Sequence, residues 1–310
     1  MIAVLTCFTH QVAAADILTE QSFKSGSTLE VTSPIDSVLL YKKNVNKDDQ
    51  FTINHTTDKT LQLNPTKNRG IVVNRYQNNL SLTINSHVSF GDSNQQLVIK
   101  KHNIDSEGLY ETALVQVGNG SRQHNTGNLV INGNLSIRNV DFTGANKLIS
   151  ISGDGRGKRS SFRVQDVDIR DVNAGAISSI IQAAYADVNF GNITIANATA
   201  GSALNFDSDT NSTIGSLTIQ GGSFKKNAVK VYDANIFGDL IIKGVADDKV
   251  LFTDRLIALE NAATVGGDIV ASYVEGGNCV LYANQNGDPK KRYLFNNIAV
   301  NPKISNWLAV

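Results

Sequence analysis

Residues 191–195 read Gly-Asn-Ile-Thr-Ile, residues 215–219 read Gly-Ser-Leu-Thr-Ile and residues 238–242 read Gly-Asp-Leu-Ile-Ile. The same glycine-x-aliphatic-x-aliphatic pattern opens earlier at Gly133-x-Leu135-x-Ile137 and closes later at Gly267-x-Ile269-x-Ala271, with Val167-x-Ile169 fitting between but lacking the glycine. The first aliphatic positions, 135, 167, 193, 217, 240 and 269, are separated by 32, 26, 24, 23 and 29 residues. A second track keeps step with it: Ile149-x-Ile151, Ile181-x-Ala183, Leu204-x-Phe206, Val229-x-Val231, Ile257-x-Leu259 and Val280-x-Tyr282. Alternation with period two means strand. It places the aliphatic residues on one face and Ser136, Asp168, Thr194, Thr218, Ile241 and Val270 on the other.

Between the tracks lie polar turn-forming stretches such as GGSFKKN, ATAGS, DSDTNS, VADDK and EGGN, too short for crossover helices. A unit of this length with two or three short strands cannot bury its aliphatic face alone, so units must stack on their neighbours. The expectation is an all-β chain, a right-handed parallel β-helix whose interior is a ladder of Leu, Ile and Val. A β-sandwich or propeller is the competing arrangement, because Asn-Gly hairpin signals occur at 119–120, 132–133 and 286–287. The glycine before each first-track strand is expected to supply a positive φ or a bulge at a corner. The abundant asparagines are expected at corners too, with stacked amides bonded along the axis.

Composition agrees with strands and turns. The 310 residues include thirty-four Asn, twenty-two Asp and 25 Gly, but only six Glu and 1 Met, too few helix formers for a helical protein. The 28 Lys and Arg balance 28 Asp and Glu, so no global field selects phosphate, anionic lipid or an acidic partner. Basic residues are not interleaved with aromatics, which gives nucleic-acid binding no support. Cys7 and Cys279 stand far apart, so there is no disulfide framework and no thiolate metal cluster. No apolar run is long enough for a transmembrane helix. Three spans are expected: residues 1–15 as a signal-peptide remnant, 16–126 as an irregular amino-terminal cap with the first coils, and 127–310 as the regular β-helix, shortened at its carboxy end. The first rests on the apolar run 2–8 and on Ala13-Ala14-Ala15 before Asp16.

Candidate chemistry is sparse. Phe90-Gly91-Asp92-Ser93 resembles the start of a lipase motif, but only His102 and His124 follow it, in no suitable spacing, and a plain turn is expected. Asp166, Asp168 and Asp171 are the acids a polysaccharide-cleaving β-helix would need; alternation turns Asp168 outward, onto a solvated face. Asp207-x-Asp209-x-Asn211 begins like a calcium loop but has Ser212 where glycine belongs and Thr218 in place of the terminal glutamate. The loop GDGRGKRS at 153–160 carries Arg156, Lys158 and Arg159 on glycines between two strands, and these are the candidate ligand-binding residues. No catalytic, cofactor-binding or metal-binding residue is assigned, and no cofactor is expected.

The signal-like start ending in Ala-Ala-Ala, the cysteine-poor Asn/Gly/Asp/Ser-rich body, and the coils IGSLTIQGGSF, IFGDLIIKGV and VGGDIVASYV resemble the passenger region of an autotransporter, the type V secreted proteins of Gram-negative bacteria. The resemblance covers roughly residues 127–285. It implies the pectin-lyase-like β-helix, export through the inner membrane, display at the cell surface, and a host-cell glycan or protein as partner for an adhesin-like, non-enzymatic rod. It also implies an outer-membrane β-barrel, for which the residues after 285 leave no room; without one, the expected location is periplasmic. A two-partner secreted haemagglutinin-like protein and a carbohydrate-active lyase or depolymerase are the alternative readings.

Overall fold

Alternating aliphatic segments of three to eight residues form strands only if each finds a neighbour for its backbone and a surface for its apolar face. A computed structural model of the chain describes residues 16–23, 28–41, 49–55, 60–66, 69–76, 80–94, 96–99, 113–118, 125–142, 147–155, 157–207, 209–283 and 293–299. Residues 1–15, expected as a signal remnant, and Arg156, His102 and His124 fall outside these residues. The chain is all-β: among the described residues there is no α-helix, and one 3-10 turn covers Glu20–Ser22.

The strands pair in parallel into one sheet system of 27 strands; the exceptions are a two-stranded antiparallel pair, Arg75–Tyr76 with Asn125–Thr126, and one antiparallel bridge, Val245 with Asp248. The first track is a continuous ladder. Leu61, Val88, Leu135, Val167, Ile193, Leu217, Leu240, Ile269 and Tyr293 are successive partners. The second runs Leu18, Val38, Ile71, Val115, Ile149, Ile181, Leu204, Val229, Ile257 and Leu281. A third ladder, not anticipated as a track, runs Leu29, Ile53, Ile84, Ile131, Val164, Phe190, Ile214, Ile236 and Val265. Strands before residue 127 thus join the same ladders as those after it.

Parallel neighbours cannot be joined by a two-residue hairpin. Asn132-Gly133 accordingly joins Asn128–Ile131 to Leu135–Asp141, which belong to different ladders and pair with different strands. The other two Asn-Gly signals lie outside the described residues.

The apolar ladder positions converge on one core. From Leu135 to Ile269 the first-ladder side chains are at most 1% exposed, whereas Ser136, Asp168, Thr194, Thr218, Ile241 and Val270 are half-buried on the outer face, as the alternation requires. Near the amino-terminal end, Phe23, just after the 3-10 turn, packs on Phe51 with ring centroids 4.9 Å apart.

Two expectations need correction. Ile257 pairs with Leu281, which aligns Val280 with Leu256, one residue out of the expected register. Leu256, Ile257, Ala258 and Leu259 are all buried, so alternation there marks no unique inner face and cannot fix the register. The second correction concerns the glycines. Gly133, Gly191, Gly215, Gly238 and Gly267 have no positive φ; what they lack room for is a Cβ atom. A Cβ on Gly133 would sit 2.5 Å from Ser86 O, on Gly215 2.9 Å from Gly191 O, and on Gly238 2.8 Å from Gly215 O. The glycines mark where the chain lies directly against the backbone of the neighbouring strand's lead-in.

The positive-φ corners belong to other residues. Asn139, Asp171, Asn197, Gly221, Tyr273 and Asn297 (φ 52, 54, 50, 63, 50 and 51°) follow the first-ladder strands, and Tyr185, Asp209, Asp233 and Asn261 (φ 51, 56, 54 and 56°) follow the second. Short polar side chains suit this conformation because they bond locally, and here they also bond between turns: Asn197 Nδ2 donates to Asp171 Oδ1 (3.0 Å), and Asn261 Nδ2 donates to Asp233 Oδ1. The two tyrosines have no such compensation. Replacing Tyr273 with asparagine is expected to raise stability by about 1 kcal/mol, read as a higher denaturant midpoint at unchanged slope.

The expected amide ladder is present on the outer surface. Asn132 Nδ2 donates to Asn85 Oδ1 (2.7 Å), Asn85 Nδ2 to Asn54 Oδ1 (2.8 Å) and Asn54 Nδ2 to Glu30 Oε1 (2.7 Å). Every donor points toward the amino-terminal end, and the column stops on a carboxylate that can only accept.

Candidate functional site

The basic loop joins strand Lys147–Ser152 to strand Ser160–Val164. It is a short turn closed at its base, where Asp154 N–H donates to Lys158 O (3.0 Å) and Lys158 N–H donates to Asp154 Oδ1 (2.9 Å). Two glycines make that reversal possible, Gly155 at φ 66° and Gly157 at φ 94°. Gly155 lies against the Tyr185 ring: a Cβ there would be 3.6 Å from two ring carbons. Lys158, one half of that closing pair, is exposed. Arg159 is turned back onto the body, with Nη1 3.3 Å from Asp187 Oδ1 and Nη2 bonded to Asp209 Oδ1. The described loop therefore combines one outward cation, one arginine neutralised by two aspartates, and an aromatic ring underneath. Tyr185 and Asp187 went unnoticed in the sequence, and Asp209 was read there only as part of a calcium-like run, because only the third ladder brings residues 187 and 209 beside Arg159.

The three acids of the enzyme alternative do not converge on a common point. Asp168 binds Arg138 Nη2 (2.8 Å) through one oxygen and Arg170 Nε (2.7 Å) through the other. Asp166 Oδ1 accepts the Asn192 N–H (2.7 Å), and Asp171 accepts from Asn197 as described. Each carboxylate is thus spent on a bond between turns of the chain, where it satisfies a donor.

Asp207 and Asp209, the start of the calcium-like run, are likewise paired, with Lys230 Nζ (3.4 Å) and Arg159 respectively. Lys230 also lies 3.7 Å from Glu260, Arg255 lies 3.6 Å from Glu260, and the Arg255 guanidinium stacks over the Tyr282 ring at 4.0 Å. This row of alternating charge crosses the outer face of the second ladder. Among the described residues no cluster of three His, Cys, Asp or Glu side chains could hold a metal ion.

Ser93 sits in an exposed bend in which Asn94 N–H donates to Asp92 Oδ1 (2.7 Å), a side-chain-closed turn. Cys279 is half-buried, and its thiol donates to Leu281 O (3.0 Å). Burial pushes its pKa up, with a smaller push the same way from Asp254 and an opposing one from the Arg255 charge, which keeps the thiol protonated at neutral pH. No helix among the described residues is long and apolar enough to cross a membrane, which leaves β-barrel membrane proteins unaddressed.

The chain matches no family model, no curated protein and no solved structure.

Proposed function

We propose that the chain is an exported, surface-displayed rod: a right-handed parallel β-helix that acts as an adhesin-like or structural scaffold of the autotransporter-passenger kind and carries out no catalysis. One observation carries this reading: three ladders of mostly buried apolar rungs, running from Leu61 to Tyr293, from Leu18 to Leu281 and from Leu29 to Val265, pair residues 20 to 47 apart in sequence. The hand follows from the near-universal right-handedness of parallel crossovers. Ten rungs of the second ladder at about 4.8 Å each give a rod body roughly 43 Å long. Such a rod holds loops at fixed heights, and the loop carrying the exposed Lys158 offers a cation to an anionic glycan or an acidic protein surface.

The test is binding of purified residues 16–310 to glycan arrays and host cells at physiological salt. Saturable binding is expected, weakened about tenfold when Arg156, Lys158 and Arg159 are all changed to glutamine. Absence of binding on every surface contradicts the adhesive part of the reading and leaves the structural one. Turnover of an acidic polysaccharide, lost in Asp168→Asn, would replace the reading with that of a carbohydrate-active enzyme.

A further inference from the structure

The amide column Glu30–Asn54–Asn85–Asn132 ends on an asparagine followed by glycine, the dipeptide with least steric protection against attack by its own backbone. We infer that Asn132-Gly133 is a spontaneous deamidation site of this protein, and that the hydrogen bond from Asn132 Nδ2 to Asn85 Oδ1 is the latch that sets its rate.

In the reaction the Gly133 backbone nitrogen attacks Asn132 Cγ, the Cγ–Nδ2 bond breaks, and Nδ2 departs as ammonia with the Gly133 amide proton. Water then opens the resulting succinimide at either carbonyl to leave aspartate or isoaspartate. The side chain must rotate to bring Cγ over that nitrogen. In the native corner it is held from two sides: Nδ2 is bonded to Asn85 at 2.7 Å, and the Asn132 backbone N–H donates to Ile84 O at 2.8 Å. Gly133 is itself wedged against Ser86 O and His87 N, where a Cβ would lie 2.5 and 2.7 Å away. Asn132 is nevertheless exposed, so water and base reach it.

The direction of the column decides the consequence. Its donors all point toward Glu30, which can only accept. An aspartate at 132 places a second acceptor at the donor end, facing Asn85 Oδ1. If Asn85 turns to donate to it, the bond to Asn54 is lost, so one contact in the column must break. Deamidation therefore loosens the corner that opens the first-ladder strand Leu135–Asp141.

The experiment follows the Asp and isoAsp content of the peptide containing residue 132 by mass spectrometry, in the full chain held at mildly alkaline pH, with the denatured chain as the unlatched reference. Wild type is expected to react several-fold more slowly than the denatured chain, and Asn85→Ala to accelerate the native reaction about fivefold, the worth of one net hydrogen bond. Asn85→Asp separates the latch from general loosening: it loses the bond to Asn54 as the alanine variant does, yet keeps an acceptor for Asn132. It is expected to remain as slow as wild type. Equal rates in wild type and Asn85→Ala would overturn the inference, as would equal acceleration in both variants.

Discussion

Replacing Gly191 with alanine is expected to cost at least about 4 kcal/mol and to leave little folded protein at ambient temperature. A Cβ there would overlap Gln165 O and lie 2.9 Å from Gln165 C, both backbone atoms of the preceding turn that cannot move without breaking the pairing of Val164 with Phe190. Relief by a local shift is blocked from the other side. Gly215 is stacked on Gly191, and Gly238 N–H donates to Gly215 O at 2.5 Å. The control is Gly157→Ala in the basic loop, where nothing lies within 4 Å of the added atom and only the positive φ opposes it, at about 1 kcal/mol. Urea denaturation of the two variants beside wild type measures both. If Gly191→Ala proves as mild as the loop substitution, the close contact between turns is wrong.

Leu217→Asp is the second large effect. Leu217 is fully buried between Ile193 and Leu240 in the middle of the first ladder, among side chains that offer a carboxylate no donor. Burying an unpaired charge costs more than a domain of this kind can spare, so the variant is expected not to fold, whereas Leu217→Ala should cost about 2–5 kcal/mol. Thr218 stands one residue away on the outer face, and Thr218→Asp is expected to change stability by about 0.5 kcal/mol or less. Soluble yield and thermal unfolding distinguish the three.

The fold was legible where one residue type has one structural reason. Leu135, Val167, Ile193, Leu217, Leu240 and Ile269 are successive partners as their alternation implied, despite spacings from 23 to 32 residues, because inserted residues go into loops while register is fixed by burial. The third ladder was also written in the chain. Ile131, Ile214, Ile236 and Val265 each lie one or two residues before a repeat glycine, but these strands are short and merge with the glycine pattern that follows. Alternation failed at Val280, where the partner strand is buried on both faces, and the glycine corners were assigned to backbone conformation when they reflect close approach.

The candidate site was legible only as composition. Lys158 and Arg159 are adjacent in sequence and share a loop, yet one points outward and the other is held by Asp187 and Asp209, residues 28 and 50 positions further on. Pairings of that range depend on which turns stack, and a single sequence carries no local mark of them. The carboxylates Asp166, Asp168 and Asp171 illustrate the converse: they are close in sequence, but the positive-φ corner at 171 and the outward strand position of 168 send them to different partners.

The stacking of successive turns along one axis is the central claim, and distances between spin labels on the outer face of the first ladder test it most directly. Ser89, Ser136, Asp168, Thr194, Thr218, Ile241, Val270 and Leu294 occupy consecutive rungs there. Labels at Ser89 paired in turn with Thr218, Val270 and Leu294 are predicted to lie about 19, 29 and 34 Å apart, increasing linearly at about 4.8 Å per rung. A separation that levels off or shortens as the second label moves toward Leu294 would mean that the sheet closes on itself as a barrel, and would contradict the stacked-rod account.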